Sequence, residues 1–257
     1  MPQVNNSHNN SQNYYYKKPD PLASEAGLIV ASAATGLIYK ALPSFSNPFL
    51  KQMTKEWSNN HIYEDSFLKA VKLSGLDKKG LKIIDERLPH TDIGKGLNAC
   101  FIPKTKQIKL NMGKASISGF HELGHAMNNM KGGFGKILQK LRGPGMAIAG
   151  LMGSVALFSR NKPEDAKKNA MDIVQDNCGK IAFIAMLPTV AEESLASIKG
   201  IKMAKKVGLG EAAVKNLKNF YGKALLSYAG YAALAGFATY VTSKIMDKFT
   251  RPKKVYY

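Results

Sequence analysis

Two histidines four residues apart, His121 and His125, constrain this chain more than any other feature of its sequence. On an α-helix they lie one turn apart on the same face, so both imidazole rings can reach one tetrahedral Zn²⁺ ion at about 2.0–2.1 Å. Glu122 follows the first histidine and turns toward the coordination position that the imidazoles leave open, where its carboxylate can accept a proton from water. The sequence H-E-L-G-H therefore predicts a helix that carries two zinc ligands and a general base.

Short strands are expected upstream of this helix, because three apolar segments alternate with turn residues. These segments are Leu81 to Asp85, Ala99 to Ile102 and Gln107 to Asn111. They predict a small antiparallel sheet whose last strand is an exposed edge, able to pair with an extended peptide. Ser116 or Ser118 is then expected to cap a helix from about Ile117 to Met130.

A third zinc ligand downstream must be a carboxylate, because no histidine follows the motif. Asn128 and Lys131 stand where the extended metzincin pattern has a glycine and a third histidine, so that pattern is excluded. Most of the later acidic residues lie among lysines and other polar residues, as solvated side chains do. Glu192 and Glu193 lie instead in the otherwise uncharged run Leu187 to Ser197, where a buried carboxylate needs a partner such as a metal ion. Either glutamate can be the third ligand.

Two segments resemble the membrane gluzincins, which include the HtpX heat-shock proteases and the CAAX prenyl endopeptidases. Glu193 to Ala196 (E-S-L-A) is similar to the E-x-x-A-D sequence on the second helix of that group, and Asn98 to Pro103 (N-A-C-F-I-P) is similar to its N-A-F-x-x-P segment. The resemblance covers residues 81–197 and implies a zinc endopeptidase of the gluzincin type. The implied zinc ligands are His121, His125 and Glu193, and the implied general base is Glu122.

Ser197 departs from the gluzincin pattern, because it occupies the place of an aspartate that hydrogen-bonds a ligand histidine. A neutral hydroxyl orients an imidazole less strongly, and such losses cost about 10–100-fold in metal affinity or activity. Weaker zinc binding or lower activity is therefore expected. Glu192 as the ligand, with Glu193 supporting it, is the alternative arrangement. Tyr221 and Tyr228 are the candidates for stabilising an oxyanion.

Charge and hydropathy place the chain at a membrane. Thirty-seven Lys+Arg against 18 Asp+Glu give a net charge of +19, which favours anionic partners. The sequence has no Gly-rich phosphate loop with its lysine and no nucleic-acid-binding motif, so anionic lipid is expected as the partner, and nucleic acid is not. Gly143 to Ser159 and Ala224 to Ser243 are uncharged runs of 17 and 20 residues, close to the length of a bilayer span. They predict an integral, multi-pass membrane protein.

The expected fold is mainly α-helical with a small antiparallel sheet, an α+β chain with a zincin-like catalytic core. Its expected parts are a disordered polar tail (1–20), a hydrophobic or membrane-associated helix (21–45), a metallopeptidase domain with a hydrophobic helical hairpin at 143–191 (46–200), and a basic linker, membrane helix and basic tail (201–257). The hairpin either crosses the bilayer and returns Glu193 to the side of the histidines, or lies on the membrane without crossing. Cys100 and Cys178 are not expected to form a disulfide framework.

The sequence thus predicts a membrane-associated zinc-dependent endopeptidase that acts on peptide or protein substrates, membrane proteins among them. The alternative is a non-catalytic basic membrane protein that binds anionic lipid or a partner and carries a vestigial metal site. Zinc content separates the two.

Overall fold

The chain is mostly helical in the computed structural model, which describes residues 14–33, 36, 62–96, 98–160 and 162–256. The α-helices are α1 (Pro21–Ala33), α2 (Ile62–Ser74), α3 (Met112–Lys131), α4 (Phe134–Ala156), α5 (Ala170–Lys206) and α6 (Glu211–Thr250). The strands are β1 (Tyr14–Lys17), β2 (Lys82–Asp85), β3 (Cys100–Ile102), β4 (Gln107–Leu110) and β5 (Lys253–Tyr256).

The three strands before α3 form one mixed sheet, so the expected antiparallel sheet is wrong in its topology. The strand order is β2-β4-β3, with β2 parallel to β4 and β3 antiparallel to it. Strands β2 and β3 lie on opposite sides of β4, so they do not pair with each other as a hairpin. The last strand, β4, is therefore central and not an edge. Its Ile108 and Leu110 are fully buried, and β3 forms an edge among the described strands.

The helix that carries the histidines starts earlier than expected. It begins at Met112, not near Ile117, and no serine caps it. The Asp85 carboxylate at the end of β2 accepts a hydrogen bond from the Met112 N–H at 3.0 Å, which satisfies one of the unpaired donors at the helix N-terminus. The helix ends as expected before Gly132 and Gly133, whose φ angles of 80° and 73° favour glycine.

One hydrophobic core joins the sheet to four helices. Phe67 of α2 packs edge-to-face on Phe120 of α3, with ring centroids 5.8 Å apart. Met203 of α5 and Leu217 of α6 complete the same cluster. The second half of α5 and the start of α6 therefore belong to the unit that holds α3.

Helices α5 and α6 continue beyond this core, where they pack on each other and on α4. Among the described residues, α5 and α6 are long and apolar enough to cross a membrane. Helix α4, which contains most of the run Gly143 to Ser159, is not one of them, so the expected crossing by this run lacks that support. Helices α4 and α5 are consecutive in the chain and pack on each other, and residues 157–169 connect them.

Strands β1 and β5, at the two ends of the described residues, form a two-stranded antiparallel sheet in which Tyr14 pairs with Tyr256. Residues 14–17 of the expected polar tail form strand β1. Helix α1 covers the first part of the expected helix at 21–45. Residues 1–13, 34–35 and 37–61 lie outside the described residues.

Candidate metal centre

Three side chains point one ligand atom each at a common position between α3 and α5. The Nε2 atoms of His121 and His125 are 2.9 Å apart, and Glu193 Oε2 is 3.0 Å from the first and 3.4 Å from the second. An ion with tetrahedral bonds of 2.0–2.1 Å separates its ligand atoms by about 3.3 Å. The donor atoms and their spacing fit such an ion, so this group could hold a metal.

Two glycines let α3 and α5 approach closely enough to assemble this group. A Cβ atom at Gly124 would lie 2.0 Å from the carbonyl oxygen of Ala196, and one at Gly200 would lie 2.3 Å from that of Phe120. Any larger residue at either position would push the helices apart. The glycine within the H-E-L-G-H sequence is therefore a packing requirement of the site.

Each histidine is oriented through its other ring nitrogen. His125 Nδ1 donates to Glu192 Oε1 at 2.8 Å, because a carboxylate only accepts. His121 Nδ1 lies 3.1 Å from the hydroxyl oxygen of Ser197. Both contacts turn Nε2 toward the common position and leave it available as a ligand.

Burial and two carboxylates act in opposite directions on His125. Its burial disfavours the charged imidazolium, but the hydrogen bonds to Glu192 and Glu193 outweigh that effect and raise the pKa of His125 to about 10. A metal ion at this position must therefore compete with a proton.

The two adjacent glutamates, which the sequence leaves as alternatives, occupy different places. Glu193 faces both histidines, whereas Glu192 lies behind His125 and also accepts a hydrogen bond from Asn128 Nδ2 at 2.8 Å. Arg142 of α4 donates to both glutamates, at 2.8 Å from Glu192 Oε2 and 2.8 Å from Glu193 Oε1. Glu193 is thus the candidate ligand, and Arg142 offsets the charge of two nearly inaccessible carboxylates.

Sequence reasoning missed Arg142 and Asn128 as members of the site. Asn128 lies three residues after His125, on the same face of α3, so the helical period could have indicated it. Arg142 carried one weaker signal: it is the last charged residue before the uncharged run Gly143 to Ser159. Its contact with residues 50 positions away on α5 depends on how the hairpin packs.

Glu122 lies beside the three candidate ligands but is not one of the converging donors. Its Oε2 atom accepts a hydrogen bond from the Phe101 N–H of β3 at 2.7 Å. Burial raises the pKa of the Glu122 carboxyl, and the nearby histidines and the Phe101 N–H offset only part of that rise. The arrangement suits a group that accepts a proton and passes it on.

The two candidate tyrosines differ in their surroundings. The Tyr221 ring is almost fully buried, and its centroid is 5.3 Å from that of His121. Tyr228 is half-buried and interacts electrostatically with Glu122 and Glu193. Its hydroxyl is therefore the better placed of the two to meet a ligand at the site.

Comparisons of the chain with protein-family models, with curated proteins and with solved structures find no match. The resemblance to the membrane gluzincins stays a prediction from the sequence.

Proposed function

We propose that this chain is a zinc-dependent endopeptidase that works at a membrane. One observation supports the proposal more than any other: His121, His125 and Glu193 direct their donor atoms at one position. Glu122 is buried beside them, and its Oε2 atom accepts a hydrogen bond from the Phe101 N–H. A purely structural metal site has four protein ligands, whereas a catalytic site has three and an open position. The described residues supply three candidate ligands.

The donor set favours zinc over calcium and magnesium. Two imidazole nitrogens and one carboxylate oxygen are a common set of ligands for catalytic zinc, whereas calcium and magnesium prefer oxygen ligands alone. A bound zinc ion would polarise a peptide carbonyl and lower the pKa of water, which is the chemistry that peptide hydrolysis needs.

Glu122 would act as the general base and then as the general acid. Its Oε2 atom is held by the Phe101 N–H, so the other carboxylate oxygen is the one that takes a proton from the attacking water. The raised pKa of this buried carboxyl helps it keep that proton until the leaving amine nitrogen accepts it. The Tyr228 hydroxyl would donate a hydrogen bond to the oxygen that gains negative charge.

The substrate would bind as an extended peptide along β3. This strand is an edge of the sheet among the described strands, and its Phe101 N–H bonds Glu122 directly. Edge strands bind peptides by adding them as a further strand. A peptide bound there would lie beside the general base.

We further propose that the protein is integral to the membrane, with α6 as its best-supported span. The run Ala224 to Ser243 contains 20 residues without charge, about 30 Å of helix, which is the thickness of the hydrocarbon core. Most of the apolar stretch of α6 is not buried inside the protein, and side chains such as Leu226 and Phe237 are exposed. Lys223 and Lys244 bracket the run and could reach the headgroups of an anionic membrane.

The metal centre would then lie at the membrane boundary. Tyr228 stands near the start of the uncharged run of α6, two residues after the exposed Leu226. Glu193 on α5 is likewise preceded by the exposed apolar residues Ile184 and Leu187. Substrates that emerge from the bilayer would meet the site without crossing the solvent.

The test is the metal content and the proteolytic activity of the full chain purified in detergent. We expect about one zinc per chain and cleavage of an unfolded protein such as casein, abolished by a chelator and restored by zinc. Glu193→Gln should lose most of the zinc, whereas Glu211→Gln at the exposed start of α6 should keep it. Equal zinc in the two variants removes Glu193 from the site. Zinc binding without cleavage of any substrate favours the non-catalytic alternative.

A further inference from the structure

The two imidazoles of the candidate metal centre have unequal partners. His121 Nδ1 meets a neutral hydroxyl, that of Ser197, at 3.1 Å. His125 Nδ1 meets a carboxylate, that of Glu192, at 2.8 Å. A charged acceptor fixes the orientation of an imidazole and raises the basicity of its other nitrogen more than a neutral one does.

Glu192 is held as a partner of other side chains. Its Oε1 atom accepts from His125 Nδ1 and Asn128 Nδ2, and its Oε2 atom accepts from Arg142 Nη1, each at 2.8 Å. The residue is 0% exposed. Three of its four lone-pair sites are taken by donors, and neither of its oxygens is among the atoms that converge on the common position, so Glu192 is placed as a partner of His125 and not as a metal ligand.

We propose that Glu192 is a positioning residue of the metal centre, which supplies through His125 the negative charge that Ser197 cannot supply through His121. The inference rests on the proposed zinc site. A negative carboxylate behind His125 holds the ring in the tautomer that frees Nε2, and it strengthens the bond that Nε2 makes to an ion. Arg142 offsets the cost of burying these charges, because its guanidinium forms ion pairs with the carboxylates of both Glu192 and Glu193.

This role is distinct from general support of the fold, because it depends on charge. Glu192→Gln keeps the size of the side chain and an oxygen that can accept from His125, but it removes the charge. A carboxylate introduced at position 197 would restore a charged partner on the other histidine. The effects of the two substitutions on zinc affinity should therefore not be additive.

The experiment measures zinc affinity by chelator competition, and the visible spectrum of the Co²⁺-loaded protein, for the full chain in detergent. Glu192→Gln should weaken zinc binding by about 10–100-fold and alter the Co²⁺ spectrum, whereas Glu192→Asp, which keeps the charge, should lose less. Ser197→Ala should lose less than Glu192→Gln. Glu192→Gln combined with Ser197→Asp should recover much of the affinity, and Glu211→Gln is the control.

The outcomes separate this inference from the proposed function. A parent protein that binds no zinc overturns both. A parent protein that binds zinc, with Glu192→Gln binding it equally tightly and showing the same Co²⁺ spectrum, overturns the positioning role alone. If the double variant folds but Ser197→Asp does not restore zinc affinity, the positioning role alone is again overturned. If Glu192→Gln does not fold, Glu192→Asp is measured in its place. A Co²⁺ spectrum identical to that of the parent protein, together with a zinc affinity as low as that of Glu193→Gln, contradicts the inference.

Discussion

Gly124 of α3 lies against Ala196 of α5 so closely that a Cβ atom at position 124 would be 2.0 Å from the Ala196 carbonyl oxygen. The same approach brings His121 Nε2 to 3.0 Å from Glu193 Oε2. The geometry of the candidate metal centre is therefore set by a backbone contact one residue away from a ligand.

Gly124→Ala should separate α3 from α5 and weaken metal binding, because a backbone carbonyl cannot move aside as a flexible side chain can. We expect loss of most of the bound zinc and a lower melting temperature. Gly150→Ala on α4 is the matched control, since a Cβ atom there meets nothing within 4 Å. Alanine inside a helix should leave stability unchanged or raise it by up to about 1 kcal/mol. Equal zinc contents in the two variants would show that the contact does not control the site.

Glu122→Gln should separate metal binding from chemistry. The amide keeps an oxygen that can accept from the Phe101 N–H but cannot take a proton, so zinc content should be unchanged while peptide cleavage falls by about 10²-fold or more. Zinc per chain and the initial rate of cleavage are measured on the same preparation. Undiminished cleavage by this variant would assign the proton transfer to another group or the activity to a contaminant.

Zinc binding should release a proton from His125 near neutral pH. The pKa of His125 is raised from 6.5 to about 10, so protein stripped of metal holds the imidazolium, whose stabilising effect is complete below pH 6.5 and is lost as the pH rises through about 10. The ion must displace that proton, and its apparent affinity should therefore fall as the pH falls. Calorimetric titration in buffers of different ionisation enthalpy measures the release. A binding enthalpy that does not vary with the buffer contradicts the prediction.

Membrane fractions should retain the protein after extraction with alkaline carbonate, which strips proteins held by charge alone. The uncharged run of α6 is buried in hydrocarbon under this proposal and is unaffected by screening. Immunoblots of pellet and supernatant give the result. Quantitative release into the supernatant would exclude a span by α5 or α6 and leave a peripheral protein whose metal site is untouched.

The sequence predicts those parts of the site that depend on local spacing. The four-residue separation of His121 and His125 places both on one helix face, and the buried charges of Glu192 and Glu193 stand out in an apolar run. Which glutamate faces the histidines depends on the rotation of α5 against α3. Adjacent residues on a helix point about 100° apart, and the rotation is set by contacts such as Gly124 on Ala196.

Non-local pairings explain the errors in the fold. The segments of β2, β3 and β4 are recognisable from their apolar residues, but the direction of β2 depends on the path of the chain between Asp85 and Cys100. The predicted start of α3 near Ile117 is wrong for a similar reason. Its first N–H bonds Asp85, which is 27 residues earlier in the chain, and not a nearby serine.

The candidate ligands are far apart in the order of synthesis, since His121 and Glu193 are separated by 72 residues. A nascent chain exposes both histidines while α4 and most of α5 are still to be translated. Until Glu193 leaves the ribosome and the hairpin folds back, any ion bound by the histidines lacks its third protein ligand and exchanges readily. Stable capture of an ion by the proposed site would thus wait until α5 has been translated and has packed on α3.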